Sequence, residues 1–328
     1  MAKSANQKMK LILLMDYLLE NTDEEHPVSM KNILDYLASN GINAERKSIY
    51  DDVETLRTYG IDIILNKGKG NTGYFVGSRD FELAELKMLV DAVASAKFIT
   101  ESKSRELILK LEKKASKYDA GQLQRQVYVA GRAKSFNESI YYIVDDIHKA
   151  MRHNCKIEFN YMEWSVDKKL VAKRNGKKYV VSPWLLMWND GNYYLVAFDD
   201  ESSIMKHYRV DKIKSLKIND IPRTGAVESK KINPAQYTNV NFSMYGGKIE
   251  NVTLLMDNSL AGVMLDRYGT DIPMVKVDDN HFRTHINVCV SSQFFGWLCG
   301  LEGKAQITEP KEVKEQFREF LRKLVDNE

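Results

Sequence analysis

The hydrophobic pattern of this chain changes period at Cys155, and that change constrains the fold more than any other feature. Before it, apolar residues return every three or four positions, the spacing of helices buried along one side. After it they alternate. In CKIEFNY, Cys155, Ile157, Phe159 and Tyr161 share one strand face, and Lys156, Glu158 and Asn160 share the other. A chain of 328 residues divided in this way is expected to be multidomain α+β, with two or three domains that each bury a core. Hydrophobic residues make up 44% and charged residues 28%, a globular balance that excludes a mostly disordered protein.

Residues 1–79 read as three helices and a hairpin. Leu11, Leu14, Met15 and Leu18 line the first helix. Ser29 caps a second, with Ile33, Leu34 and Leu37 inward and Asn40-Gly41 as its stop. A third starts near Ala44, carries Ile49, Val53 and Leu56 on one stripe, and ends at Tyr59-Gly60. IDIIL and YFV then flank the glycine-rich turn NKGKGNTG. Residues 80–153 read as a helical linker. Asp80 is the expected cap of a helix with Leu83, Leu86, Leu89, Val90 and Val93, and RELILKLEKKASKY forms another. A bend is expected between Gly121 and Lys134, then a helix from about Ser135 with Ile140, Ile143, Val144 and Ile147 inward.

Short strands with tight turns fill residues 154–220, the pattern of a small barrel-like sheet. Asn175-Gly176 and Asp190-Gly191 are hairpin signals. A linker rich in Lys, Thr, Ser and Pro (219–236) leads to residues 237–328, which read β-α-β-β-α-β with a closing helix. That last helix opens at Pro310 and carries Val313, Phe317, Phe320 and Leu324 on one stripe.

A short helix, a tight turn and a third helix with outward N-terminal positions make the pattern of a winged helix-turn-helix, whose third helix enters the major groove of duplex DNA. The side chains so placed are Arg46, Lys47, Ser48, Tyr50 and Asp51, with Lys67, Lys69 and Asn71 on the wing. Arg and Lys suit phosphates or guanine edges; Ser and Tyr suit phosphates or a thymine methyl. A docking domain without DNA contact is the other reading, since Met1–Arg79 holds 10 Lys/Arg against 11 Asp/Glu. Between Lys156 and Lys217 there are 12 Lys/Arg against 8 Asp/Glu. There, His207 and Arg209 share one strand face and Tyr208 and Val210 the other. A basic face beside aromatics suits a phosphate-bearing ligand or single-stranded nucleic acid; a solvated face over core tyrosines is the other reading.

The same segment resembles the WYL domain, a small Sm/SH3-like β-barrel named for a Trp-Tyr-Leu triplet, which stands here as Tyr193-Tyr194-Leu195. Pro183 to Leu186 match its Pro-x-x-Leu, and Lys206-His207-Tyr208-Arg209-Val210-Asp211-Lys212-Ile213 match its Arg-Thr-Phe-Arg-Leu-Asp-Arg-Ile run. Lys stands at 206 and 212 where the family carries Arg, so a point charge replaces a planar fork at both. The C-terminal part resembles the WCX extension, a ferredoxin-like αβ domain, through Phe242-Ser243-Met244-Tyr245-Gly246, Trp297-Leu298-Cys299-Gly300 and Glu309-Pro310. These resemblances imply a sensor barrel that takes a nucleotide or single-stranded nucleic-acid effector on Trp184, Tyr194, Lys206, His207, Arg209 and Lys212, and a WCX domain used for dimer contacts or ligand-linked movement. The implied protein is a ligand-responsive transcriptional regulator that binds double-stranded DNA as a homodimer, with residues 80–153 carrying bias between its ends. The alternative is an accessory protein in nucleic-acid processing or defence, whose barrel holds single strands for a partner enzyme.

No GxxxxGK[ST], GxGxxG after a strand, HExxH or GxSxG occurs, so binding rather than catalysis is expected, with no cofactor. His281 and His285 lie on a strand, where four residues span about 13 Å, too far to share a metal. Cys155, Cys289 and Cys299 are odd in number and far apart, which argues against a disulfide framework, and Cys299 is expected in the core beside Trp297. No apolar run reaches the length of a membrane span and the start lacks a cleavage-site pattern, so a cytoplasmic location is expected.

Overall fold

Three helices open the chain: α1 (Gln7–Asn21), α2 (Met30–Ser39) and α3 (Arg46–Tyr59). They enclose Leu14, Leu18, Ile33, Leu37, Ile49, Val53 and Leu56, all buried. The computed structural model describes residues 7–68, 72–123, 137–234, 237, 240–244 and 247–326, and the chain divides into two compact units, Met1–Glu138 and Ser139–Glu328. Ser29 caps α2 reciprocally: its hydroxyl accepts from the Asn32 N–H, and the Asn32 side chain accepts from the Ser29 N–H. Gly41 (φ +76) and Gly60 (φ +111) end α2 and α3 in the left-handed region, where a side chain would be strained. The third helix starts at Arg46 rather than near Ala44, after an extended Glu45.

Strands β1 (Ile63–Asn66) and β2 (Gly73–Val76) pair antiparallel, Ile63 opposite Val76. Val28, just before α2, adds a rung to the hairpin through two backbone hydrogen bonds with Tyr74 (2.9 and 2.8 Å). Buried Thr22 at the end of α1 accepts from the Val76 N–H (3.0 Å). Lys10 on α1, only 6% exposed, reaches 2.7 Å from the Asp52 carboxylate and donates to the Ser48 hydroxyl, tying α1 to α3. Helices α4 (Leu83–Ser95), α5 (Glu101–Glu112) and α6 (Lys117–Leu123) bury a small core of Leu86, Val90, Ala115 and Leu123. The expected Asp80 cap is not used: Glu82 takes that position, and the Glu85 carboxylate accepts its N–H (2.9 Å). Most of the expected bend at 121–134, and Ser135, lie outside the described residues.

The expected linker does not run to residue 153. Helix α7 (Ile140–Arg152) belongs to the second unit, because its stripe of Ile140, Ile143, Ile147 and Ala150 is buried and packs against the sheet that follows. That sheet holds β3 (Cys155–Trp164), β4 (Leu170–Ala172), β5 (Tyr179–Asn189), β6 (Asn192–Asp199), β7 (Ile204–Arg209) and β8 (Ile213–Pro222). Its order is β4-β3-β5-β6-β7, with β8 also on β3, and every pairing is antiparallel. Register shifts where β3 meets β8 curl it into a half-barrel. Asp190 and Gly191 (φ +49 and +75) make the expected hairpin, closing the Asn189–Asn192 pair. Asn175-Gly176 does not. Arg174, Asn175 and Gly176 all adopt positive φ, and the strands on either side both pair with β3 instead of with each other.

Helix α8 (Ala226–Lys230) follows β8. Then come β9 (Ile249–Asp257), α9 (Ala261–Tyr268), β10 (Met274–Lys276), β11 (His281–Cys289), α10 (Ser292–Cys299), β12 (Ala305–Glu309) and α11 (Lys311–Val325). The sheet order is β10-β11-β9-β12, all antiparallel. On β11, Phe282, Thr284, Ile286 and Val288 are buried in alternation. Two expectations fail at helix ends. Cys299 is exposed, because the core stripe of α10 is Phe294, Phe295 and Leu298. Leu324 is 54% exposed, because α11 leaves the core after Phe320.

Phe159 is fully buried, with its ring 5.7 Å from Tyr179 and 5.3 Å from Tyr208. Truncation to Phe159→Ala is expected to cost about 3–5 kcal/mol. Urea unfolding of the full chain checks it, as a lowered midpoint at unchanged slope.

Candidate nucleic-acid and effector surfaces

In the first unit the functional candidates sit on α3 and on the strand after it. Burial of Ile49, Val53 and Leu56 turns Arg46, Lys47 and Tyr50 outward, and all three are exposed. Ser48 departs from that set: half-buried, its hydroxyl is taken by Lys10, so it secures α3 to α1. Lys67 is exposed just beyond β1; Lys69 and Asn71 lie outside the described residues. An open groove of about 600 Å³ runs between α3 and the hairpin, with Tyr50, Arg57 and Lys67 among its lining. Arg57 there has structural partners, donating to the Ile63 carbonyl (2.8 Å) and to Glu54 (2.5 Å). Exposed Glu45, Asp51 and Glu54 interleave with the basic residues, so placement of individual side chains outweighs net field.

In the second unit, pairing of β5, β6 and β7 sorts the effector candidates by face. Leu185 lies opposite Val196 and Met187 opposite Tyr194; Val196 in turn pairs with His207, and Tyr194 with Arg209. Directly opposed residues share a face, so Tyr194, His207 and Arg209 come together. Lys206 does not join them. It shares the face of Tyr208 and Ala197, inside the half-barrel, where it pairs with the buried carboxylate of Asp199. Burial works against that carboxylate's charge, but Lys206 and Ser202 outweigh it and hold its pKa below the ordinary value.

Arg209 is the anchored cation of the site. Its guanidinium donates to both Asp211 oxygens (3.1 and 2.8 Å) and to Asn192 (3.0 Å), and its backbone N–H donates to the Tyr161 hydroxyl (3.1 Å). Burial disfavours its charge, yet Asp211 holds its pKa above the ordinary value. Its side chain stays 37% exposed, leaving part of the fork available to an anion. Lys212 is half-buried in the turn after β7. Tyr194 is buried at 9% exposure among Met187, Val196 and Met244, so it forms the floor and not a free stacking surface. Trp184 is likewise occupied: the Arg223 guanidinium lies 4.1 Å over its ring, and its indole N–H donates to the Thr224 carbonyl (2.8 Å).

His207 is covered. Its Nε2 lies 2.9 Å from the Tyr237 hydroxyl, and its ring also hydrogen-bonds the Met244 carbonyl. Burial pushes its pKa down to about 4. Sequence reasoning missed Tyr237, which sits in a polar stretch without periodicity, and missed Lys10, which has no local partner. Asp211 was legible as a carboxylate two residues from Arg209. His281 and His285 do not come together: His281 meets Asp278 (2.9 Å) and His285 meets Thr253 (2.9 Å). Among the described residues no helix is long and apolar enough to cross a membrane.

Residues 142–218 match the WYL domain, so the chain carries that domain, and residues 14–68 match the D3 domain of FokI. Among solved structures the chain is similar to proteasome accessory factor B/C (PafBC) of Arthrobacter aurescens, at 16% identity over 96% of this chain and 48% of that one, with a TM-score of 0.30. It is also similar to a CRISPR Cas-related protein, at 11% identity over 90% of this chain and 77% of that one, with a TM-score of 0.36. The chain spans about half the length of the PafBC chain it matches. No curated protein matches it.

A half-buried His207 whose pKa is pushed down makes stability fall as pH drops. Between about pH 6.5, where the unfolded imidazole titrates, and about 4, the unfolded chain binds a proton that the folded one refuses. The loss is at most about 3 kcal/mol. Urea melts at pH 7 and 4.5 are expected to show it as an excess loss in the native chain over His207→Gln.

Proposed function

We propose that the chain is a ligand-responsive, DNA-binding transcriptional regulator. In this reading α1–α3 and the hairpin are a winged helix-turn-helix that places Arg46, Lys47 and Tyr50 in the major groove and Lys67 on the neighbouring backbone. The WYL domain senses an anionic effector, a nucleotide or a single-stranded nucleic acid, with Arg209 on phosphate. The C-terminal αβ part is a ferredoxin-like WCX domain, and the working form is a homodimer, since one recognition helix covers only a few base pairs. The observation that carries the reading is α3 itself. Its apolar stripe is buried, Lys10 and Asp52 fix it to α1, and the N-terminal turn it leaves exposed bears two cations and a tyrosine. Effector control needs differential binding to two states of the regulator; equal affinity for both would shift nothing.

The second reading, an accessory protein that holds single strands for a partner enzyme, is favoured by exposed Glu45 at the cap of α3 and by exposed Asp51 and Glu54 on it. The two separate on one set of variants. Lys47→Ala and Tyr50→Ala are each expected to weaken binding to duplexes selected from a randomised pool by tenfold or more, about 1.4 kcal/mol, in anisotropy titrations at fixed salt. Unchanged duplex binding favours the accessory reading. Arg209→Ala is expected to leave duplex binding intact and to abolish its modulation by single-stranded oligonucleotide or nucleotide. Loss of both activities would count against a separable sensor.

A further inference from the structure

We infer that the stretch after α8 is a strap that occupies the effector face and must be displaced for a nucleotide or single strand to bind. The inference rests on the effector reading above and adds its regulation. By composition this stretch is a linker, yet Ile232, Tyr237, Phe242 and Met244 each find a core. Ile232, Tyr237 and Met244 pack on the face of Leu185, Met187, Tyr194, Val196 and Met205. Phe242 enters the core of the C-terminal αβ part, 5.4 Å from the Phe294 ring and 5.2 Å from Trp297, with Arg267 3.7 Å over its own ring. Ahead of α8, which leads into the strap, Gly225 (φ +80) presses on Phe198 so closely that a Cβ would lie 2.3 Å from the ring. Among the described residues the strap is therefore held at Ile232 and Met244 on the sheet and at Phe242 in the C-terminal core, with Tyr237 in its middle on the sheet.

What the middle covers has the chemistry of a nucleotide site. Tyr237 lays an aromatic ring beside His207 (centroids 5.5 Å apart) and closes a hydrogen bond on it. Arg209 follows His207 by two residues on the same face, about 7 Å along the strand, a separation comparable to that between a base and its own phosphate. A nucleotide with its phosphate on Arg209 puts its base where Tyr237 now lies, replacing one planar group and one hydrogen bond to His207 with another. The strap is releasable. Among the described residues its holds on this face are two hydrogen bonds to His207, from Tyr237 and the Met244 carbonyl, and the side chains of Ile232, Tyr237 and Met244, and Met244 adopts a strained left-handed backbone (φ +57). Because Phe242 links the strap to the C-terminal core, displacement also pulls on that part of the chain. The strap lowers apparent affinity by the fraction of time it is open.

The test is anisotropy titration of the full chain with a labelled oligothymidine and, in competition, with free nucleotides. It compares the native protein with Tyr237→Ala, Tyr237→Phe and Tyr237→Ala/Arg209→Ala. Tyr237→Ala is expected to bind about tenfold more tightly. Tyr237→Phe, which keeps the ring and loses the hydrogen bond, should fall between, and the double variant should lose the gain. Amide exchange across residues 226–244 should rise when oligothymidine is added to the native chain. Competition by free nucleotide separates a mononucleotide effector from a strand. If Tyr237→Ala and Tyr237→Phe bind as the native chain does, or more weakly, the strap is overturned and the effector site stands. If none of the proteins binds either probe, the effector reading falls and the strap falls with it. Should Tyr237→Ala fail to fold, Tyr237→Phe and the exchange measurement decide.

Discussion

One strand sets the geometry of the second unit. β3 pairs with β8 along 155–161, with β5 along 157–159 and with β4 along 162–164, and two register shifts against β8 keep it from lying flat. A strand shared in this way must curl, and the curl encloses an aromatic cluster of Phe159, Tyr161, Tyr179 and Tyr208. The cluster passes its position on to the candidate site. Tyr161 accepts the Arg209 backbone N–H, which fixes the end of β7 and so the fork that meets Asp211 and Asn192. Burial of the Tyr161 hydroxyl pushes its pKa up to about 12, so it stays neutral in that role.

Buried and half-buried ion pairs divide the work of the cations. Lys10, Lys206 and Arg209 each find a carboxylate, but with different consequences. Lys10 and Lys206 face inward and are spent on the fold: removing either partner would leave a charge without compensation. Arg209 is oriented by Asp211 yet its side chain stays 37% exposed, at the rim of the sheet. Local charge balance alone does not separate these roles, because it weighs a cation inside the half-barrel the same as one on its rim.

Much of the architecture was legible locally. The stripes of α1–α3, the Ser29 cap, the stops at Gly41 and Gly60, the Asp190-Gly191 hairpin and the alternation of β11 all follow from interactions within a few residues. The failures share a different origin. Ser48 read as an outward residue, and it is captured by a lysine 38 positions away. Asn175-Gly176 carried the chemistry of a hairpin turn, but β3 offered both flanking strands a better partner than each other. The stretch at 219–236 is polar on average, while β8 runs into it as far as Pro222 and α8 and Ile232 lie within it.

By itself the sequence determined most of which segments are helix and which are strand, most of where they turn, and that a basic run bearing His207 and Arg209 lies on β7. Those properties depend on backbone sterics and side-chain period, which act over a few residues. Only the tertiary structure decided which of the basic residues are available: Lys206 turned in to Asp199, Trp184 under Arg223, His207 beneath Tyr237, and Arg209 at the rim. That choice is made by groups brought together from distant parts of the chain, each burying apolar area or satisfying a buried polar atom. No local pattern encodes it.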